Sequence, residues 1–255
     1  MKIIRIMFIL LTAMLTLSLG ISPAVFAADT IKVGDVQTYS KLASFTHPYR
    51  NGWQLALEEI NKAGGVMGKK IDVISRDDQG KPGEAVKVAE EMVSKDKVAL
   101  LMGSFFSNVG LAVTDFAGRN KVLYIAAEPL SDALVWAKGN RYTFRLRPST
   151  YMQAAMLAVD AAKNPAKRWA TIAPNYAYGK DAVASFKKVL KAKRPDVEFV
   201  ADTQARSDRC GQRHHRDAAD LLELSRHDRI IVCIDHDLEA IAGEFLRRFE
   251  RGDDV

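Results

Sequence analysis

Residues 98–108 read VALLMGSFFSN, an apolar run followed by Gly103, Ser104, two phenylalanines and Ser107. The apolar run has the length and composition of a buried strand, and Ser107 opens a stretch with helical spacing. Runs of these two kinds alternate from residue 30 onward, which is typical of parallel sheets flanked by helices. The sequence therefore predicts an α/β fold whose first lobe has strands over residues 31–35, 71–75, 98–102 and 122–126. After the first strand it predicts a long loop that contains Phe45 and His47, and then a helix over residues 49–62.

A second series of the same kind follows. Residues 141–147 alternate apolar and basic side chains, as in an extended segment that crosses between lobes, and Pro148 closes it. We expect two lobes, with an N-terminal ligand-binding lobe over residues 28–148 and the start of a second lobe over residues 149–204. In the second lobe the pattern predicts helices over residues 150–162 and 180–193, and strands over 169–173 and 197–201.

The beginning of the chain has the features of a signal peptide. Lys2 and Arg5 form a basic start, a long run without charge follows, and Ala27 ends a small-x-small cleavage site. A membrane anchor is the alternative, but Gly20 and Pro23 interrupt the apolar run. We therefore expect a signal peptide over residues 1–27, cleavage after Ala27, and a periplasmic mature protein.

The composition changes abruptly after Gln204. Up to that point the chain holds 19 Lys and 9 Arg, whereas the last 51 residues hold 9 Arg, no Lys, four of the five His and both Cys. A frame shift near codon 205 or a truncation would produce such a break, so we expect residues 205–255 to be an aberrant tail of uncertain fold. A zinc enzyme using Cys210 and His214 is disfavoured, because the paired spacing of zinc ligands is lacking.

Several functional classes are excluded by composition and motifs. Without the leader the net charge falls from +6 to +4, and no basic run is interleaved with aromatics, so we expect no nucleic-acid partner. Before the tail the only histidine is His47, and the sequence contains no nucleophile elbow or phosphate-binding loop. The acidic pair Asp77–Asp78 precedes a helix and suits a cap. We expect a protein that is not an enzyme and uses neither a metal nor a cofactor.

Ligand binding is better supported than catalysis. In open parallel sheets, ligands lie beyond the carboxyl ends of the strands, near helix N-termini. Ser107 lies at such a place and offers a hydroxyl beside helix amides that suit a carboxylate, although it could equally be an N-cap. The adjacent Phe105 and Phe106 cannot both point into the core. Loops after the other strands add further candidates: Phe45, Glu128, Pro129, Leu130 and Tyr178. Aromatic loops from two lobes would form a cleft for a small polar ligand with an apolar or aromatic body.

Several motifs, in order and spacing, resemble the type I periplasmic binding proteins that deliver branched-chain amino acids and related compounds to ABC transporters. The resemblance runs from about Ile31 to Gln204. The matching segments are NGWQLA (51–56), INKAGGVMG (60–68), DDQGKP (77–82), residues 103–110 and 141–152, and YAYG (176–179). The resemblance implies a two-lobed fold, capture of a small molecule without chemistry, and permease subunits as partners; we expect a monomer.

The resemblance also implies roles for individual residues. Ser107 falls on the serine that holds the ligand carboxylate, Phe45 on an aromatic of the first loop, and Tyr178 on the tyrosine that closes over the ligand. Relatives supply backbone amides and a hydroxyl where this chain has Glu128, Pro129 and Leu130. Because Glu128 would repel a carboxylate and Leu130 has no hydroxyl, the departure leaves room for amides, amines or aromatic acids as ligands.

A second departure is that relatives have a longer chain, which completes the second lobe. We therefore expect an incomplete second lobe and a product that is unstable or binds weakly. The leading hypothesis is a solute-binding component of an amino-acid-type ABC importer, in a defective truncated copy. The alternative is an extracytoplasmic sensor that passes its bound state to a receptor.

Overall fold

The computed structural model describes residues 30–205 and 229–233 of the 255-residue chain. In these ranges the strands form two parallel sheets, which confirms the predicted α/β class. The first sheet consists of β1 (Ile31–Gln37), β2 (Ile71–Asp77), β3 (Leu100–Gly103), β4 (Leu123–Ala126) and β5 (Thr143–Arg145). Its spatial order is β2-β1-β3-β4-β5. Every pairing in it is parallel, so the loops after its strands meet at one edge.

Three helices connect the strands of this sheet. They are α1 (Ala43–Lys62), α2 (Pro82–Glu91), which continues as a π-helical turn (Met92–Asp96), and α3 (Ser107–Asn120). Pro82 occupies the first turn of α2, where its missing N–H costs no helical hydrogen bond. Side chains of α2 and α3 bury a common core with the sheet, including Met92, Leu101, Val113 and Tyr124.

Helix α1 begins earlier than the sequence predicts, at Ala43 instead of residue 49. The reason for the difference is Pro48, which lies inside the helix and cannot donate to the carbonyl of Ser44. Ser44 is exposed, so water can take the place of that donor. As a result Phe45 and His47, predicted to lie in a loop, are part of α1.

The segment predicted to cross between lobes adds a strand to the sheet. β5 pairs in parallel with β4, with Tyr124 opposite Thr143 and Ala126 opposite Arg145. The alternating pattern correctly indicated an extended chain, but it carried no information about the pairing. Without β5 the backbone groups of β4 on that side would lack their hydrogen-bond partners.

The second sheet contains β6 (Arg168–Pro174), β7 (Glu198–Ala205) and β8 (Arg229–Cys233) in the order β7-β6-β8. Helices α4 (Thr150–Ala161) and α5 (Ala177–Lys193) pack beside it around Ala158, Trp169, Phe186 and Leu190. β8 comes from the segment predicted to be an aberrant tail. It nevertheless runs parallel to β6, with Arg229 opposite Arg168.

Two predictions fall outside the described residues: the signal peptide over residues 1–27, and the tail apart from 205 and 229–233. Cys210 and His214 belong to that undescribed part. Within the described ranges, no helix has both the length and the apolar character that a bilayer crossing requires.

Candidate ligand-binding site

A small cleft lies beyond the carboxyl ends of β3, β4 and β6. It has about 10 Å³ of space for the centres of water-sized molecules, and about 220 Å³ only when the open solvent at its mouth is counted. It lies between the segments that follow these strands, together with the residues just after β5. Its walls are formed by Phe105, Ser107, Glu128, Leu130, Arg147, Tyr176 and Tyr178. Five of the eight residues predicted for a site therefore line one cleft.

Ser107 is the first residue of α3, and Phe106 is the N-cap, so Ser107 does not itself cap the helix. The Ser107 Oγ accepts hydrogen bonds from the backbone amides of Leu130 (3.2 Å) and Ser131 (3.1 Å). Since both of its lone pairs are occupied, the hydroxyl has only its proton left to offer. No side chain caps α3, and amides in the first turn of a helix have no intrahelical partners. This part of the cleft therefore presents hydrogen-bond donors, as an anion requires.

Glu128 faces the cleft as one half of an ion pair. Its Oε2 accepts a hydrogen bond from the Arg147 guanidinium. Arg145 links the end of β5 to the loop after β4, because its guanidinium donates to the carbonyls of Arg147 (3.1 Å) and Ser131 (3.0 Å). The repulsion of a ligand carboxylate expected from Glu128 is thus opposed by a positive charge in direct contact with it.

One wall of the cleft is backed by a cluster of aromatic rings. The Phe105 ring lies 5.6 Å from Phe45 and 5.5 Å from Phe106, and Phe106 lies 5.3 Å from Tyr176, centroid to centroid. Phe45 and Phe106 are in a layer behind the wall and do not line it. Phe106 packs onto Gly80, where a Cβ would lie 3.0 Å from its ring. Phe45 and Phe106 therefore support the wall from behind and are not part of its surface.

Pro129 likewise supports the cleft from behind. It packs against Gly110 of α3 so closely that a Cβ at Gly110 would lie 2.5 Å from the Pro129 Cγ. The flanking Leu130 packs with Tyr178, which is on α5 and is only 4% exposed. Tyr178 was expected to close over the ligand from a loop. In the structure it is a mostly buried residue of α5, because this helix begins at Ala177 and not at residue 180.

The two lobes are joined beside the cleft by hydrogen bonds. Ser131 donates to Asp181 of α5, and Ser185 of α5 donates to Asp132 at 3.1 Å. Asp132, which is 8% exposed, also accepts from the Thr150 hydroxyl at 2.8 Å. The loop after β4 therefore contacts both the cleft and the second lobe.

The remaining acidic groups at the sheet edge serve structural roles. Asp35, fully buried, accepts hydrogen bonds from the hydroxyls of Tyr39 (2.6 Å), Ser75 (2.7 Å) and Tyr49 (3.1 Å). Burial raises the pKa of Asp35, although these three donors partly offset it. Asp78 binds the amide of Gly80 at 2.7 Å in the turn before α2. Among the described residues, no set of His, Cys, Asp and Glu is grouped as a metal site would be.

Sequence reasoning missed Arg147 and Tyr176 as cleft residues and Asp132 as a link between lobes. Arg147 was part of an alternating pattern that indicates only an extended chain. It reaches Glu128, 19 residues earlier, because β5 pairs with β4. Tyr176 had a usable signal, since it directly follows a strand in an aromatic motif.

Comparison with known proteins places the chain in a family. Residues 30–208 match the family described as "Periplasmic binding protein". The Leu/Ile/Val-binding protein BraC3 of Rhizobium johnstonii is 32% identical over 183 residues, which are 71% of this chain and 49% of the relative. Leu/Ile/Val-binding protein homolog 3 of Brucella melitensis is 31% identical over 68% of this chain and 46% of the relative. The chain thus spans about half the length of these relatives.

Solved structures with the same fold have been determined with different ligands. A solute binding protein of an ABC transporter from Rhodopseudomonas palustris BisB5, in complex with 3,4-dihydroxy benzoic acid, is 25% identical and superimposes with a TM-score of 0.71 over 88% of this chain and 59% of its own. LivJ of Streptococcus pneumoniae, in complex with isoleucine, is 27% identical, with a TM-score of 0.67 over 80% of this chain and 57% of its own. The matched segment, the two parallel sheets and the cleft at their edge lead to one conclusion: this chain belongs to the periplasmic binding protein family.

Proposed function

We propose that this protein is the extracytoplasmic solute-binding component of an ABC importer and that it captures a small organic acid in the cleft. The observation that carries the proposal is the hydrogen bonding of Ser107. Its Oγ is occupied as an acceptor by two backbone amides, so the hydroxyl is left to donate its proton to an acceptor. A ligand carboxylate is such an acceptor, and the N-terminus of α3 adds favourable electrostatics.

The rest of the cleft suits the body of an apolar or aromatic acid. Phe105, Leu130, Tyr176 and Tyr178 are four of the seven lining residues, and the only charges among the seven are the paired Glu128 and Arg147. Both amino acids and aromatic acids occur as ligands of structurally similar proteins, since one was solved with isoleucine and another with 3,4-dihydroxy benzoic acid. The proposal includes export of the protein from the cytoplasm and delivery of the bound acid to the permease subunits of the importer.

Thermal unfolding with a panel of ligands tests the proposed function. Leucine, isoleucine, benzoate and 4-hydroxybenzoate are compared with leucinamide and benzamide, which lack the carboxylate. We expect at least one acid to raise the melting temperature progressively with concentration, because a ligand that binds only the folded state stabilises it. The matching amide should produce a smaller rise. A cooperative unfolding transition that none of the acids shifts would contradict the proposal.

A further inference from the structure

Glu128 and Arg147 are the only charged residues among the seven that line the cleft, and they contact each other. The Glu128 side chain is 18% exposed, whereas that of Arg147 is 40% exposed and keeps part of its hydration. A carboxylate placed like that of Glu128 costs free energy unless it is paired. Arg147 therefore supplies the partner that Glu128 needs, and the formal charge of the lining is zero.

Both residues are anchored here through their backbones. The backbone of Arg147 is held by Arg145, whose guanidinium donates to the Arg147 carbonyl and to the carbonyl of Ser131 after β4. Glu128 precedes Pro129, which is packed against Gly110 of α3. Both backbone positions are thus fixed on the loop and the strand end that form the wall.

We propose that Glu128 and Arg147 act as a specificity pair that admits ligands with one carboxylate and rejects ligands with two. This inference rests on the proposed function, in which the Ser107 hydroxyl and the amides of α3 hold one carboxylate. A second carboxylate in the cleft meets Glu128, while Arg147 is already committed to that residue. A ligand with one carboxylate and an uncharged body leaves the pair undisturbed.

The proposal assigns opposite effects to the two members of the pair. Glu128→Gln keeps the shape of the side chain and frees Arg147 to bind a second carboxylate. Arg147→Gln leaves Glu128 unpaired and places a bare negative charge beside the bound acid. The double variant Glu128→Gln/Arg147→Gln removes both charges and returns the lining to neutrality, so it should recover the ligands with one carboxylate.

The test measures binding by calorimetry with two matched probe pairs, benzoate with terephthalate and leucine with glutamate, on the full chain. We expect Glu128→Gln to raise the affinity ratio of diacid to monoacid by at least about tenfold, the effect of one hydrogen bond to a charged group. Arg147→Gln should weaken the monoacid by about tenfold, and the double variant should restore most of that loss. The control removes an exposed ion pair at the C-terminal end of α4, with Asp160→Asn/Lys163→Gln, and should change neither ratio.

The outcomes separate this inference from the proposed function. If the wild type binds a monoacid but Glu128→Gln leaves the diacid ratio unchanged, the specificity pair is refuted and the proposed function stands. If the double variant binds the monoacid no better than Arg147→Gln, Arg147 contacts the ligand itself and the pair mechanism is also refuted. If the folded wild type binds none of the four probes and Glu128→Gln binds none either, both proposals are overturned. Cooperative unfolding of each variant establishes that it is folded.

Discussion

The hydroxyl of Ser185 donates a hydrogen bond to Asp132 at 3.1 Å, which joins α5 of the second lobe to the loop that follows β4 in the first. The same carboxylate accepts from the Thr150 hydroxyl (2.8 Å) and the Tyr151 amide (3.2 Å) at the start of α4. Because Asp132 is only 8% exposed, these three donors replace the water that it would otherwise bind. Asp132 is therefore a point at which both helices of the second lobe are attached to the first.

Replacing this carboxylate should destabilise the protein. Asp132→Ala leaves three donors without their acceptor, and we expect the free energy of unfolding to fall by about 1–3 kcal/mol. Urea unfolding measures the change. The control is Asp115→Ala, which removes a 68% exposed carboxylate paired with Arg119 and should cost less than about 1 kcal/mol. Equal losses in the two variants would show that Asp132 does not hold the lobes together.

Ser107→Ala should affect ligand binding and stability together. The proposed donor to the ligand is lost, so we expect affinity for the acid identified in the panel to fall by about tenfold or more. The amides of Leu130 and Ser131 also lose their acceptor, which should lower the free energy of unfolding by about 1–3 kcal/mol. Calorimetry and urea unfolding give the two values.

The matched control for Ser107 is Ser94→Ala. The Ser94 hydroxyl donates only to the carbonyl of Glu90 within an exposed turn, so its removal should leave binding unchanged. If Ser107→Ala bound the acid as tightly as Ser94→Ala, the assignment of the carboxylate to Ser107 would be wrong.

Two glycine substitutions should have opposite effects on stability. A Cβ at Gly110 would lie 2.5 Å from Pro129 Cγ, so Gly110→Ala must displace the loop that carries Glu128 and Leu130. We expect a loss of about 1–3 kcal/mol from overpacking, together with weaker ligand binding. Gly52 in α1 has no atom within 4 Å of such a Cβ, so Gly52→Ala should stabilise the protein by about 0.5–1 kcal/mol. Thermal unfolding of both variants tests the contrast.

The buried Asp35 should make stability depend on pH. Burial raises its pKa above the ordinary value of 3.8, so between 3.8 and its pKa in the folded protein the native state binds more protons than the unfolded chain. The free energy of unfolding therefore falls as the pH rises through this window, by at most about 1.4 kcal/mol per pH unit for one proton. The pKa of Asp196, lowered to about 2 by the hydrogen bond from Arg194, acts in the opposite sense and below pH 3.8.

Asp35→Asn isolates this contribution. Asparagine has one acceptor oxygen where the carboxylate has two, so the variant loses at least one of the hydrogen bonds from Tyr39, Tyr49 and Ser75. We therefore expect lower stability at every pH. The difference between wild type and variant should nevertheless shrink as the pH rises above 3.8, because only the wild type loses a proton from this site. Urea unfolding at several pH values gives both curves, and parallel curves would contradict the prediction.

The positions of β1 to β4, β6 and β7 followed from the sequence because each is an apolar or alternating run between helical stretches, whereas β8 lies in the segment for which no fold was predicted. The sequence did not give the pairing of residues 143–145 with β4, since a strand at a sheet edge has no pattern that names its neighbour. It also misplaced the start of α1, because Pro48 normally marks the first turn of a helix and here lies beyond it. The first error arose because the hydrogen-bond partners of β5 are on β4, far away in the chain. The second arose because a helix can continue past a proline when the carbonyl left without a donor is exposed.

The cleft residues divide in the same way. Ser107, Phe105, Leu130 and Tyr178 were predictable because they come just after strands, and parallel strands carry such residues to one edge. Arg147 was not, because its partner Glu128 is on a different segment and only the β4–β5 pairing brings the two together. Phe45, Phe106 and Pro129 were predicted as ligand-binding residues, but packing places them behind the wall of the cleft and not on its surface.

By itself, the order of apolar runs, helical stretches and strand-end motifs determined the α/β class and the family, and it gathered the candidate ligand-binding residues at one edge of the sheet, because these features depend on local patterns and on parallel topology. Only the tertiary structure decided which side chains face the cleft, that Glu128 is neutralised by Arg147, and that Asp132 joins the lobes. These features depend on contacts between residues far apart in the chain, and such contacts are fixed by packing and hydrogen bonding in three dimensions.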